Sequence, residues 1–263
     1  MAQATEDSTH RSLSQEQIDH FRQRGFAVVG KVLEADELRE LQDEYDRVFS
    51  EARRTAQMRN LASSDGSATT EADEEMLQIM QMCERSILFR RLLYDKRILD
   101  CAEDLIGPNL QLFHDQALFK PAHCGGPVHW HQDNGYWECT PANIVSCWMT
   151  LDDVDVHNGA MHVIPGSHLQ PVEHVRDEKT PLYNLEDKVD ASAAEIIDLP
   201  AGGIMFHHCQ MLHHTPPNRT DRQRRAFAIH LMNPGTRSGD GSHMEVSFSR
   251  PMLRMRLTEA TDG

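Results

Sequence analysis

The spacing of apolar residues divides the chain into two regimes. Between Leu13 and Ile106 it is mainly helical, and from Leu110 onward short apolar runs alternate with turn residues. Ser14-Gln15-Glu16-Gln17 has the form of a capping box, with Leu13 placed as a staple ahead of Ile18 and Phe21. Gly25 stops that helix, and Phe26-Ala27-Val28-Val29 reads as a short strand. Leu38, Leu41, Tyr45, Val48 and Phe49 recur at helical spacing and predict a second helix over about 35–52. Residues 53–75 carry almost no apolar periodicity; a stretch of this kind is a lid over a site or a disordered loop, and both readings stand. Met76 to Met82 resembles a strand, and 86–106 carries a helical pattern broken by Gly107-Pro108.

Beyond Leu110 the runs are LQLFHDQALFKP, HWHQDNGYW, IVSCWMTLDDV, AMHVIPGSH, IIDLPAGGIMFHH and RRAFAIHLMN. Asn158-Gly159 is a hairpin-type turn signal, and Pro165-Gly166 and Gly202-Gly203 punctuate further turns. Many short strands at regular spacing indicate a β-sandwich or jelly roll rather than a parallel sheet. The expected fold class is mainly β with flanking helices. Residues 1–12 are polar and expected to be disordered, and 13–263 to form one domain. In it a helical N-terminal half, to about 106, leans on a jelly-roll core over about 110–235.

Composition narrows the function. Lys and Arg number 26 against 41 Asp and Glu, a formal charge of −15, which argues against nucleic acid, anionic membranes and large polyanions as partners. No run approaches the ~18 apolar residues of a membrane span. MAQATEDSTH has neither the basic nor the apolar region of a secretory signal, so a cytoplasmic protein is expected. The six cysteines form no CxxC pair and read as reduced thiols. The methionines read as core filler, and the acidic runs Glu71 to Glu75 and Asp152-Asp153-Val154-Asp155 as solvated faces.

The chain holds 16 histidines, and their placement matters more than their number. In His129-Trp130-His131-Gln132-Asp133, a strand would point residues i and i+2 to one face, delivering an imidazole and a carboxylate together. A third imidazole from another strand would complete the two-histidine, one-carboxylate set that holds Fe(II) and leaves positions open. Candidates for it are His207, His208, His213 and His214, ahead of an arginine-rich stretch ending in Arg224-Arg225. A guanidinium fork there suits the far carboxylate of a metal-bound dicarboxylate. Arg224, Ala226, Ala228 and His230 share a face of small residues, whereas Phe227, Ile229 and Leu231 share a bulky one; the small face favours Arg224 over Arg225.

HWHQD, WMTLDDVDVHNGAMHVIPGSH and HHTPPNRTDRQRRAF together resemble the phytanoyl-CoA dioxygenase (PhyH-like) family of Fe(II)/2-oxoglutarate oxygenases. The opening LSQEQIDHFRQRGFAVVGKVLEADEL is similar to that family's helix-strand-helix entry, so the resemblance runs from about residue 13 to 235. It implies a double-stranded β-helix (jelly-roll, cupin-like) core, with Fe(II), 2-oxoglutarate and O2 as cofactor and co-substrates and ascorbate as a stimulant. It places iron on His131, Asp133 and His213, with His214 standing where the family usually has glycine. Arg224 and Thr215 would hold the distal carboxylate of 2-oxoglutarate, and Trp148 and Gln116 would line its pocket. Asp133 stands where halogenating relatives carry a small residue, which speaks against halogenation.

The implied reaction is hydroxylation of a small-molecule substrate, a metabolite or natural product, with release of succinate and CO2. The charge of −15 tilts away from a coenzyme A ester. His129, Tyr136 and Trp137 are candidates for contact with that substrate or for ordinary rim packing. His207 and His208 read as strand residues flanking the site, and His123, His157, His162, His168 and His174 as turn or surface residues. The alternatives are the same centre used for desaturation, cyclisation or rearrangement, and a jelly-roll metal-binding protein without turnover. A zinc hydrolase would have no use for the arginine.

Overall fold

The computed structural model describes residues 12–63, 75–174, 181–244 and 249–256. Helix α1 (Gln15–Arg24) starts at the capping box: Ser14 accepts from the Gln17 amide, and Gln17 Oε1 accepts from the Ser14 amide at 3.0 Å. It ends at Gly25, whose φ of 85° lies in the left-handed region and whose missing Cβ would stand 2.4 Å from Met211 Cε. Strand β1 (Phe26–Lys31) leads into α2 (Ala35–Thr55), which buries Leu41, Tyr45, Val48 and Phe49. After β2 (Arg59–Asn60) and β3 (Leu77–Met80) come α3 (Met82–Arg85), α4 (Ile87–Leu92) and α5 (Lys96–Ile106).

The second regime contains β4 (Leu110–Lys120), β5 (Val128–His131), the one-turn α6 (Asn134–Trp137), β6 (Cys139–Thr140) and β7 (Val145–Thr150). It continues with β8 (Met161–Val163), β9 (Glu195–Ile197), β10 (Gly203–His208) and β11 (His213–Thr215). The last strands are β12 (Arg224–Met232), β13 (Arg237–Ser238) and β14 (Met252–Arg254).

The major sheet runs β1-β10-β7-β12-β4-β3-β2, with β14 on β4, and the minor sheet runs β5-β11-β8-β9. All pairs are antiparallel, which makes the core a jelly roll. The alternation along β12 assigns its faces. Phe227, Ile229 and Leu231 join the core under the helices, where Phe89 meets Phe227 edge-on at 4.9 Å and Tyr45 stacks on Phe49 at 4.6 Å. Burying each such aromatic contributes about 2–3 kcal/mol. Ala226 and Ala228 turn inward toward the minor sheet with Trp148, Met205 and Met161. Small side chains on this inner face leave the space that becomes the site.

Four differences from the sequence reading have local causes. The 86–106 pattern is two helices, because Asp95 caps α5 by accepting from the Arg97 amide at 2.8 Å. The Asn158-Gly159 turn is not a hairpin: β7 belongs to the major sheet and β8 to the minor one, so the turn crosses between sheets. Asn158 fixes this corner, its side chain accepting from the Asp155 amide and donating to the Asp153 carbonyl, both at 2.8 Å. The N-terminal half adds β1, β2 and β3 to the major sheet, and β14 adds an edge from beyond residue 235. The front of the 53–75 stretch is ordered through the end of α2 and β2, where Asn60 and Leu61 are buried. Residues 64–74 of that stretch, and the expected disorder at 1–12 apart from Ser12, fall outside the described residues.

Candidate metal and co-substrate site

Register brings the two imidazoles together: His213 on β11 pairs directly with His131 on β5, and their rings lie 4.2 Å apart. His131 Nδ1 donates to the His129 carbonyl at 2.7 Å, and His213 Nδ1 to the Met211 carbonyl at 2.9 Å. Each bond fixes a tautomer and leaves Nε2 bare, the arrangement in which an imidazole ligates metal. Asp133 arrives by a route that strand alternation does not give. Strand β5 ends at His131, and Asp133 sits in the helical region (φ −53°, ψ −39°) at the entrance of α6. Its Oδ1 lies 3.5 Å from His131 Nε2 and 3.8 Å from His213 Nε2. The three donors lie within 4.8 Å of one another, and all three residues are buried.

The other carboxylate oxygen is occupied. Asp133 Oδ2 accepts from Ser146 Oγ and His207 Nε2, both at 3.2 Å. Ser146 Oγ accepts in turn from His230 Nδ1 at 2.7 Å, and His230 Nε2 from Gln116 Nε2 at 3.0 Å. Gln78 Nε2 closes the chain on Gln116 Oε1 at 2.5 Å. All these bonds run toward Asp133, so one assignment of tautomer and amide satisfies the whole row. Burial alone would raise the Asp133 pKa, but His213, His131 and His207 outweigh it and hold the carboxyl well below its usual range. Burial pushes the His213 pKa well down, which favours the neutral form a metal ligand needs.

A cavity of about 390 Å³ opens over these donors, with Trp148, Gln116, Thr215 and Arg224 in its wall. Arg224 is 1% exposed; one of its nitrogens donates to the Leu118 carbonyl at 3.3 Å, and its Nε has no partner among the described residues. Thr215 Oγ1 is likewise buried and unpaired. Burial pulls the Arg224 pKa down to about 10, so the guanidinium stays charged at neutral pH. Arg225, on the opposite face, is neutralised by Asp152 at 2.6 Å and Asp46 at 3.0 Å. The donor set therefore fits a first-row divalent ion, and the free Arg224 Nε and Thr215 hydroxyl among the described residues fit an anionic chelator beside it.

The remaining candidates divide. Tyr136 and Trp137 line the cavity, whereas His129 is outside its lining and pairs with Glu186 at 3.2 Å. His214 points away from the donors, with Nδ1 bonded to the Val128 carbonyl and its ring on Trp130. His207, His114 and His230 line the cavity; His207 is the strand residue beside the site that the sequence suggested, and its bond to Asp133 adds to that role. His174, half-buried in a loop, is more than a surface residue: its Nε2 accepts the amide of Gln132, between His131 and Asp133, at 2.8 Å. His168 is buried, against α1 and His208.

Fold and site together define a jelly-roll protein with a two-histidine, one-carboxylate cluster beside a cavity lined by Arg224 and Thr215. Residues 21–226 match the Phytanoyl-CoA dioxygenase (PhyH) family. The chain belongs to this family of Fe(II)/2-oxoglutarate-dependent oxygenases. It is 30% identical over 145 residues to a probable alpha-ketoglutarate-dependent hypophosphite dioxygenase of Stutzerimonas stutzeri, a match spanning 52% of this chain and only 50% of that relative. It is 26% identical over 232 residues to the peroxisomal phytanoyl-CoA dioxygenase of Mus musculus, spanning 83% of this chain and 68% of the relative. The crystal structure of EvdO2 from Micromonospora carbonacea var. aurantiaca, complexed with 2-oxoglutarate, superposes with a TM-score of 0.67 at 26% identity. That superposition covers 86% of this chain and 93% of the other. No helix among the described residues is long and apolar enough to cross a membrane.

Proposed function

We propose that this chain hydroxylates a small molecule, consuming 2-oxoglutarate and O2 and releasing succinate and CO2. One observation carries the reading. A buried arginine without a carboxylate partner, and a buried threonine hydroxyl without a hydrogen-bond partner among the described residues, face the same cavity as two bared imidazole nitrogens and a carboxylate oxygen. A metal-binding protein without turnover, or a hydrolase, has no use for that second group.

In this reading His131, Asp133 and His213 hold Fe(II), and Arg224 and Thr215 anchor the distal carboxylate of 2-oxoglutarate. Iron held there would supply oxidative chemistry, coupling decarboxylation of the 2-oxo acid to insertion of oxygen into a C–H bond. The protein's part is orientation. Ser146 and His207 occupy one oxygen of Asp133 and leave the other for the ion. Trp148, Ala228 and Leu118 give the co-substrate side of the cavity an apolar wall. Leu61, Met76, Met80 and Leu182 line it elsewhere with Tyr136 and Trp137, which suits a substrate with an apolar body. Asp133 is the one carboxylate in the lining among the described residues, and Arg59 the cation beyond Arg224, which favours a neutral or anionic substrate over an amine.

The test is an anaerobic titration of the Fe(II) protein with 2-oxoglutarate. The expected result is a visible metal-to-ligand charge-transfer band, followed in air by succinate formation that a substrate stimulates. Absence of the band would overturn the reading.

A further inference from the structure

Lys120 ends β4 directly opposite Arg224 on β12, so the two side chains stand on one face of the sheet. Lys120 is 0% exposed and Arg224 1%. Like charges set opposite each other across a strand pair repel, and burial removes the water that would screen them. Among the described residues neither is ion-paired with a carboxylate. Asp152, which influences Arg224, is held by Arg225.

The surroundings of Lys120 are nonetheless built for an ammonium. Its Nζ donates to the carbonyl oxygens of Gly126 at 2.5 Å, Thr215 at 3.1 Å and Pro216 at 2.8 Å. Three acceptors match the three N–H groups of the charged form; a neutral amine would turn a lone pair onto a carbonyl. Burial, and then Arg224, push its pKa downward, and the carbonyl cage opposes them. Gly159 gives the chain its room: a Cβ there would lie 3.0 Å from Lys120 Cδ. Two adjacent buried cations without an anion cost stability, whereas the same pair beside a bound carboxylate is compensated.

We propose that Lys120 is a positioning and specificity-determining residue for the co-substrate, selecting 2-oxo acids that end in a second carboxylate. The inference rests on reading Arg224 and Thr215 as the anchor of that carboxylate. All three N–H groups of Lys120 are spent on carbonyls, so it acts without touching the co-substrate. It fixes the Thr215–Pro216 turn that carries the Thr215 hydroxyl, and it adds a second positive charge behind Arg224.

The experiment compares Lys120→Met and Lys120→Gln with the unaltered chain, each loaded with Fe(II) without oxygen and titrated by its visible band. The probes are 2-oxoglutarate and 2-oxobutyrate, which keeps the chelating end and lacks the distal carboxylate. The expected result is a loss of about tenfold or more in affinity for 2-oxoglutarate, and a change of less than about twofold for 2-oxobutyrate. Fe(II) affinity without either acid should stay constant. Equal losses for both acids would reduce Lys120 to a structural support and overturn the proposal; so would no loss for either. If the methionine variant fails to fold, the glutamine variant decides, because it keeps N–H donors for the cage and carries no charge. Failure of the unaltered chain to bind 2-oxoglutarate would instead remove the functional reading, and this inference with it.

Discussion

At the scale of single residues, the site is defined by which polar atoms have partners and which do not. Arg224 and Arg225 are chain neighbours with the same side chain and opposite situations: one buried toward the cavity without an ion-pair partner among the described residues, the other neutralised by Asp152 and Asp46. Substitution should separate them. Arg224→Ala is expected to weaken 2-oxoglutarate binding by about 100-fold, since it deletes one member of a buried charge pair. Arg225→Ala should leave that affinity nearly unchanged and lower stability to urea by about 2–3 kcal/mol, a figure reduced for the partial exposure of Asp46. Equal effects of the two on co-substrate binding would contradict the assignment of faces. The alternation of small and bulky residues along β12 made this choice legible in the sequence. Lys120 was not legible, because its significance depends on facing Arg224 across β4 and β12, a pairing no local pattern states.

At the scale of elements, the short strand β5 and the turn after it carry two donors, and Gln132 between them holds that turn in place. Gln132 is 2% exposed. Its Nε2 donates to the carbonyls of Gln170 at 2.9 Å and Gln210 at 2.7 Å, and its Oε1 accepts from the Val172 amide at 2.9 Å. Gln132→Leu keeps the size and leaves those buried groups unpaired. It should cost about 2–4 kcal/mol, read as a lower urea midpoint, together with weaker Fe(II) binding in the folded fraction. A variant as stable as the parent would show that the hub is dispensable. From the sequence, the helix starts at Ser14 and Ala35, the run of short strands and the stop at Gly25 were readable, because capping and periodicity are local. The split of 86–106 at Asp95 and the crossing at Asn158 were not. Both depend on hydrogen bonds whose alternatives, a continuous helix and a hairpin, satisfy the same apolar pattern. The H-x-D spacing pointed to residues that the structure does bring together, but by a different route: a strand-to-helix turn, not two positions of one strand.

At the scale of the molecule, the centre joins two sheets. His131 and His213 belong to the minor sheet, while Ser146 and His207, which hold Asp133, belong to the major one. Ligands that bind the folded state alone raise its stability by mass action. Fe(II) with 2-oxoglutarate at about 100 times the dissociation constant should therefore add about 2.7 kcal/mol, seen as a rise of several degrees in melting temperature. Chelation should reverse the rise, and Asp133→Ala should abolish it; a rise that survives in that variant would place the ion elsewhere. The pairing of His213 with His131 has a further consequence during folding. Strand β11 carries two histidines in succession, and a slip of one residue would exchange the faces of His213 and His214. Hydrophobic patterning discriminates weakly between registers in a three-residue strand with a histidine on each face. In the observed register His213 faces Asp133 while His214 is held by the Val128 carbonyl, so an ion bound by His131, Asp133 and His213 would stabilise that alignment.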